Sequence, residues 1–156
     1  MPTSVGIVGY KGREIAKAFL RMSRGTANCY HITGEQPHGP KVNVLVATEA
    51  SPVLTAIVPA LGREDYLVVN SDDKTIFPLL SGNEARLITY GFNARACITA
   101  SSVSDDGLQV CIQRAFQGID GEERLPQEFP AQGREHSTSV LGAAAAWAVL
   151  NSGYLK

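Results

Sequence analysis

At 156 residues the chain has the size of one ordinary domain and can bury a substantial core; 44% hydrophobic against 19% charged residues excludes the charge-rich, apolar-poor class of disordered chains. A formal net charge of −1 gives no overall attraction to nucleic acid or an anionic membrane, and no apolar run approaches the roughly 20 residues that span a bilayer. We therefore expect a single cytoplasmic domain with no nucleic-acid and no membrane partner.

The first twenty residues carry Lys11, Arg13, Glu14 and Lys17, unlike a signal peptide. Val5 to Val8 is a short apolar run ending at Gly9, and Ile15, Ala18, Phe19 and Met22 follow at helical spacing, so the pattern is strand, glycine turn, helix. Cys29 to Thr33 predicts a second strand, closed by the Pro- and Gly-rich loop Gly34 to Pro40. Val42 to Ala47 is nearly all apolar, as suits a parallel strand covered on both faces, and Val53 to Leu61 returns as a helix with Pro59 near its end. Tyr66 to Val69 is the next strand; Asn70-Ser71-Asp72-Asp73 offers capping oxygens to a short helix starting near Lys74; Leu87 to Tyr90 is a further strand closed by Gly91.

Beyond Gly91 the pattern changes. Ile98 to Val103 and Leu108 to Gln113 flank Asp105-Asp106-Gly107, with alternation that predicts a β-hairpin with one wet face. A polar stretch, Gln117 to Glu123, leads to an edge strand near Leu125 to Phe129, since Pro126 and Pro130 forbid a central place in a sheet. The last helix runs from about Ser137 to Leu150, and its small-residue run Gly142 to Ala146 suits close packing on a sheet, with Trp147 adding bulk. Cys29, Cys97 and Cys111, odd in number and widely spaced, read as buried thiols in a reducing compartment. The expected architecture is one α/β layered domain.

Gly6-Ile7-Val8-Gly9-Tyr10-Lys11-Gly12 lies between a strand and a helix, where glycines let backbone amides approach a phosphate. A dinucleotide fold would need a glycine where Lys11 stands. A Walker-type loop would need lysine and then a hydroxyl residue after the last glycine, where the chain has Arg13 and Glu14. Arginine lacks the compact ammonium, and a glutamate there repels a phosphate. On these residues alone, a tight turn without a ligand and an anion seat at Gly9, Lys11, Gly12 and Arg13 both stay open.

Three segments carry a resemblance: Tyr66-Leu67-Val68-Val69-Asn70-Ser71-Asp72-Asp73, Leu87-Ile88-Thr89-Tyr90-Gly91-Phe92-Asn93, and Gln132-Gly133-Arg134-Glu135-His136-Ser137-Thr138-Ser139 before an alanine-rich helix. In order and spacing the chain resembles the central, ATP-binding domain of the Mur ligases, which join amino acids to the peptidoglycan precursor. The resemblance implies a P-loop-like three-layer α/β fold with a hairpin extension and a closing C-terminal helix, over nearly the whole chain. It also implies what has been replaced. The P-loop lysine falls on Arg13, the magnesium-binding threonine on Glu14, and the two asparagines before the last helix on His136 and Ser139. After Val42 to Ala47 the chain reads Thr48-Glu49-Ala50-Ser51-Pro52, without the family's metal-binding histidine, and little room remains for its acidic metal-binding element. The family's UDP-binding and amino-acid-binding domains have no expected counterpart in these residues.

The expectation that follows is a non-catalytic Mur-ligase-like domain with no cofactor and no bound metal, acting by binding as a homo-oligomer or with a protein partner. The alternatives are a sensor of a phosphate-containing small molecule, or a ligase subunit completed by a second chain. Further ligand-site candidates are Asn70, Asp72, Asp73, Arg134 and His136, with helix capping the competing role for the two aspartates and for His136. His31 and His38 lack a third ligand at useful spacing, and Ser101, Ser102 and Ser104 lack a nucleophile elbow.

Overall fold

The computed structural model describes residues 3–33 and 42–151; the predicted loop Gly34 to Pro40, with His38, lies outside the described residues. The chain opens with β1 (Ser4–Val8), α1 (Gly12–Ser23), β2 (Asn28–His31), β3 (Val44–Ala47) and α2 (Pro52–Ile57). It continues through β4 (Tyr66–Asn70), β5 (Arg86–Tyr90), β6 (Ile98–Ser104) and β7 (Gly107–Ile112). The short strands β8 (Phe116–Gln117) and β9 (Glu123–Arg124), then β10 (Gln127–Gln132) and α3 (Ser137–Leu150), complete it. Two 3-10 helices, Val58–Ala60 and Lys74–Leu80, follow α2 and β4.

Eight strands form one sheet in the order β10-β7-β6-β5-β4-β3-β1-β2. β2 through β6 run parallel with β1, while β7 pairs antiparallel with both β6 and β10. Pro130 sits inside β10, which is an edge, so its missing N–H costs no ladder bond. The period-2 alternation of the parallel strands sorts their side chains onto two cores. Val5, Ile7, Val44, Val46, Tyr66, Val68, Ile88 and Tyr90 pack under α1 and α3, while Val8, Leu45, Ala47, Leu67 and Val69 pack under α2 and the 3-10 helices.

α1 buries Ile15, Ala18 and Phe19 on this spacing, and complete burial of each of the two larger side chains contributes about 1.5–3 kcal/mol. α3 is apolar on every side, and Ser139 to Val149 are all buried. Its small residues allow the close approach: a Cβ on Gly142 would stand 3.1 Å from the ring of Tyr90 on β5. Trp147 meets Phe19 of α1 edge to face at 6.1 Å, which joins the two helices on one side of the sheet.

Five expectations need correction. The helix predicted over Val53 to Leu61 is α-helical only to Ile57, because Pro59 lacks the N–H for the next turn and the chain tightens to 3-10 geometry. The strands expected from Cys29 to Thr33 and from Val42 both pair over shorter spans. The polar stretch Gln117 to Glu123 is bounded by the β8–β9 hairpin, which closes over the end of α3. The three thiols are half-buried rather than buried, and all are free; burial pushes the Cys29 thiol up to about 11. Among the described residues no helix is long and apolar enough to cross a membrane.

Candidate functional site

β1 connects to β2 on one side and is flanked by β3 on the other, so the order of the sheet reverses there. In open α/β sheets, ligands bind in the crevice at the carboxyl ends of strands at such a point. The glycine loop follows β1 and Thr48-Glu49 follows β3, which brings both segments to this crevice. A third wall comes from the start of α3. The crevice is a cavity of about 190 Å³, lined among others by Lys11, Thr48, Glu49, Asn70, His136 and Ser139.

The loop is tightly determined. Gly9 has φ +119°, and a Cβ there would stand 2.0 Å from Thr48 Oγ1, so both backbone and space demand glycine. Lys11 is left-handed at φ 64°, which turns the chain into α1; the Gly12 amide bonds Gly9 O at 3.1 Å. Gly12 lies under the His31 ring, where a Cβ would be 2.4 Å from Cδ2. His31 therefore serves as the lid of a close contact between β2 and α1.

Two backbone donors around this crevice are taken by the chain's own carboxylates. Glu49 Oε1 accepts from the Tyr10 amide at 2.8 Å and from Thr48 Oγ1 at 3.1 Å. Glu14 Oε1 accepts from the amide of His136, the N-cap of α3. In a capping box that bond comes from a glutamate three residues into the same helix; here Ser139 holds that position and α1 supplies the carboxylate instead. His136 Nδ1 in turn accepts from the Thr138 amide at 3.3 Å.

A second tie lies about two helical turns further along α1. Arg21 of α1 makes a two-pronged pair with Glu135 at 2.7 and 2.8 Å and donates to Gln132 O at 2.9 Å. The Arg21 guanidinium holds the Glu135 carboxyl below its usual range, and Glu135 raises the pKa of Arg21 in return. The start of α3 is thus clamped to α1 at two points.

The remaining sequence candidates scatter. Arg13 is exposed and does not line the cavity, whereas Lys11 does, with its ammonium 5.8 Å from the Tyr10 ring centre. Asn70 reaches the cavity and its Oδ1 accepts from the Asp72 amide at 3.0 Å. Asp72 and Asp73 point to different partners. Asp72 organises the turn after β5, accepting from the amides of Phe92 and Asn93 and from Asn93 Nδ2 at 2.8, 3.1 and 2.7 Å. Asp73 caps the 3-10 helix through Thr75 and also accepts from the Ala50 amide at 3.1 Å; the Thr75 hydroxyl bond leads in lowering its pKa.

Arg134 is exposed and pairs with Asp106 at 3.4 Å, away from the crevice. The structure brings Lys11, Asn70 and His136 together with Thr48 and Glu49 and leaves the other candidates outside. Glu49 is the loop partner that reading along the chain misses. The usable signal was its place directly after a strand whose neighbour ends in the glycine loop. Among the described residues no group of three or more His, Cys, Asp or Glu side chains is placed to hold a metal ion.

No family model and no curated protein matches this sequence. Among solved structures, a UDP-N-acetylmuramoyl-L-alanyl-D-glutamate–2,6-diaminopimelate ligase shares the fold, with a TM-score of 0.60 over 95% of this chain at 11% identity. This chain spans 43% of that structure's length. The fold is therefore that of a Mur-ligase-like α/β domain, a three-layer arrangement with an antiparallel extension and a closing helix.

Proposed function

We propose that this is a non-catalytic Mur-ligase-like domain that acts by binding. The observation that carries the reading is the occupation of the crevice: Glu49 takes the loop amide of Tyr10, and Glu14 takes the amide that begins α3. Phosphoryl transfer relies on positioning and on neutralising charge around the phosphates. A site that places two carboxylates at its amide donors works against both. The cavity of about 190 Å³ also falls below the roughly 300 Å³ at which small-molecule pockets usually begin. The connection to cell-wall precursor metabolism rests on the fold alone, and a fold hosts many functions.

Lys11 supports a second reading, a magnesium-independent sensor of a small phosphate-bearing anion. Lys11 lines the cavity and carries its ammonium over the neighbouring Tyr10 ring, whereas the Walker-type lysine and threonine positions offer no ammonium. Titration of the full chain with inorganic phosphate separates the two. The non-catalytic reading expects no saturable binding in the wild type and a gain of weak binding in Glu49→Gln. The sensor reading expects wild-type binding that Lys11→Met abolishes.

Light scattering tests the oligomer or partner aspect of the proposal. A salt-resistant assembly supports self-association; a strict monomer at high concentration shifts the expectation to a heterologous partner.

A further inference from the structure

A second, larger cavity of about 750 Å³ lies beside the carboxyl ends of β4 and β5, apart from the glycine-loop crevice. Its volume falls within the range of pockets that hold drug-sized molecules, and the ends of parallel strands are where α/β sheets place ligands. Phe77, from the 3-10 helix after β4, forms an apolar wall and is 39% exposed. Leu87 and Phe92, outside the cavity lining, are also exposed apolar side chains, at 45% and 43%. Leu87 shares a face of β5 with the lining residue Thr89.

Two cations, Lys74 and Arg95, line the same cavity, and neither makes an ion pair among the described residues. One carboxylate, Asp72, also lines the cavity, where three donors of the turn after β5 hold it; Asp73 next to it is held by Thr75 and Ala50. Thr89 Oγ1 accepts from the Cys97 amide at 2.9 Å, which leaves its hydroxyl hydrogen to give away. An exposed aromatic wall, two cations against the single carboxylate of Asp72, and a hydroxyl donor together favour an anion with a flat apolar body.

We propose that this cavity binds a planar organic anion, an aromatic ring bearing a carboxylate, with the ring against Phe77 and the carboxylate between Lys74 and Arg95. The site is independent of the glycine loop, so the two readings stand or fall separately. Charge-assisted hydrogen bonds are roughly twice as strong as neutral ones, so the carboxylate carries much of the selectivity.

The test is a chemical-shift titration of the labelled full chain with naphthalene-2-carboxylate and with its neutral amide. The expected result is saturable shifts at Thr89, Asn93 and Arg95, about tenfold tighter for the carboxylate. Lys74→Met and Arg95→Leu should each remove most of that preference, and Phe77→Ser should weaken acid and amide alike. Both cations are exposed, so these variants should keep the wild-type thermal midpoint, and Lys74→Gln provides an independent check if Lys74→Met does not. Equal binding of acid and amide, shifts confined to other residues, no saturation at millimolar ligand, or unchanged affinity in the cation variants would each overturn the proposal.

Discussion

Arg124→Met offers a sharp energetic test of how α3 is held. The side chain is 1% exposed, and its guanidinium donates to Ala148 O at 2.6 Å, Val149 O at 3.0 Å, Glu122 O at 2.9 Å and Asp120 Oδ1 at 2.9 Å. Two of these acceptors are among the last carbonyls of α3, which have no partner inside the helix. Methionine fills similar space but removes the donor from both, and only Val149 O keeps another, the Ile119 amide at 2.9 Å. A hydrogen bond to a charged group is worth about 1.5–3 kcal/mol, so the two helix-end bonds account for roughly 3–6 kcal/mol.

The Asp120 bond adds little, because that side chain is 34% exposed and solvent screens the pair. Water reaching the freed carbonyls lowers the sum, and we expect a loss of about 4 kcal/mol, against a typical domain stability of about 5–15 kcal/mol. Arg124→Lys should recover less than half, since a point charge cannot bridge acceptors on two segments. Urea unfolding followed by circular dichroism measures both variants. A loss below about 1 kcal/mol for Arg124→Met would refute the view that this residue anchors the end of α3.

Three further outcomes follow from single features. Tyr90→Phe should leave stability within about 1 kcal/mol of wild type or raise it, because the hydroxyl is buried without a hydrogen-bond partner; thermal unfolding checks this. Gly9→Ala should cost at least about 2 kcal/mol in urea unfolding, since φ +119° is strained for alanine and its methyl would collide with Thr48. Glu135 has a folded-state pKa held below the ordinary 4.5 by Arg21, so its contribution to stability is complete above that value and is lost as pH falls through the folded pKa. Unfolding between pH 6 and pH 3 should therefore show a fall in stability that is shallower in Glu135→Gln.

Much of the fold was legible because its signals are local. Val5 to Val8 and Tyr66 to Val69 are apolar runs ended by a glycine or by capping residues, and Ser137 to Leu150 is bounded in the structure where its composition places it. Pro130 announced an edge strand through its missing donor. What stayed hidden depends on strand order. Glu49 meets Tyr10 because β3 lies beside β1, a pairing between segments about forty residues apart that no local pattern encodes. Glu14 reads along the chain as an anion opposing phosphate, and only the packing of α1 beside α3 shows that it caps another helix. Arg124, just past the polar stretch Gln117 to Glu123, carries no local sign of burial, which depends on acceptors from Ala148 and Val149, far along the chain.

The central proposal is that Glu49 and Glu14 take amide donors around the crevice and that it does not work on ATP. Calorimetric titration of the full chain with ATP, with and without magnesium, tests it most directly. The account predicts no magnesium-dependent binding in the micromolar range; saturable micromolar binding that appears only with magnesium would contradict it.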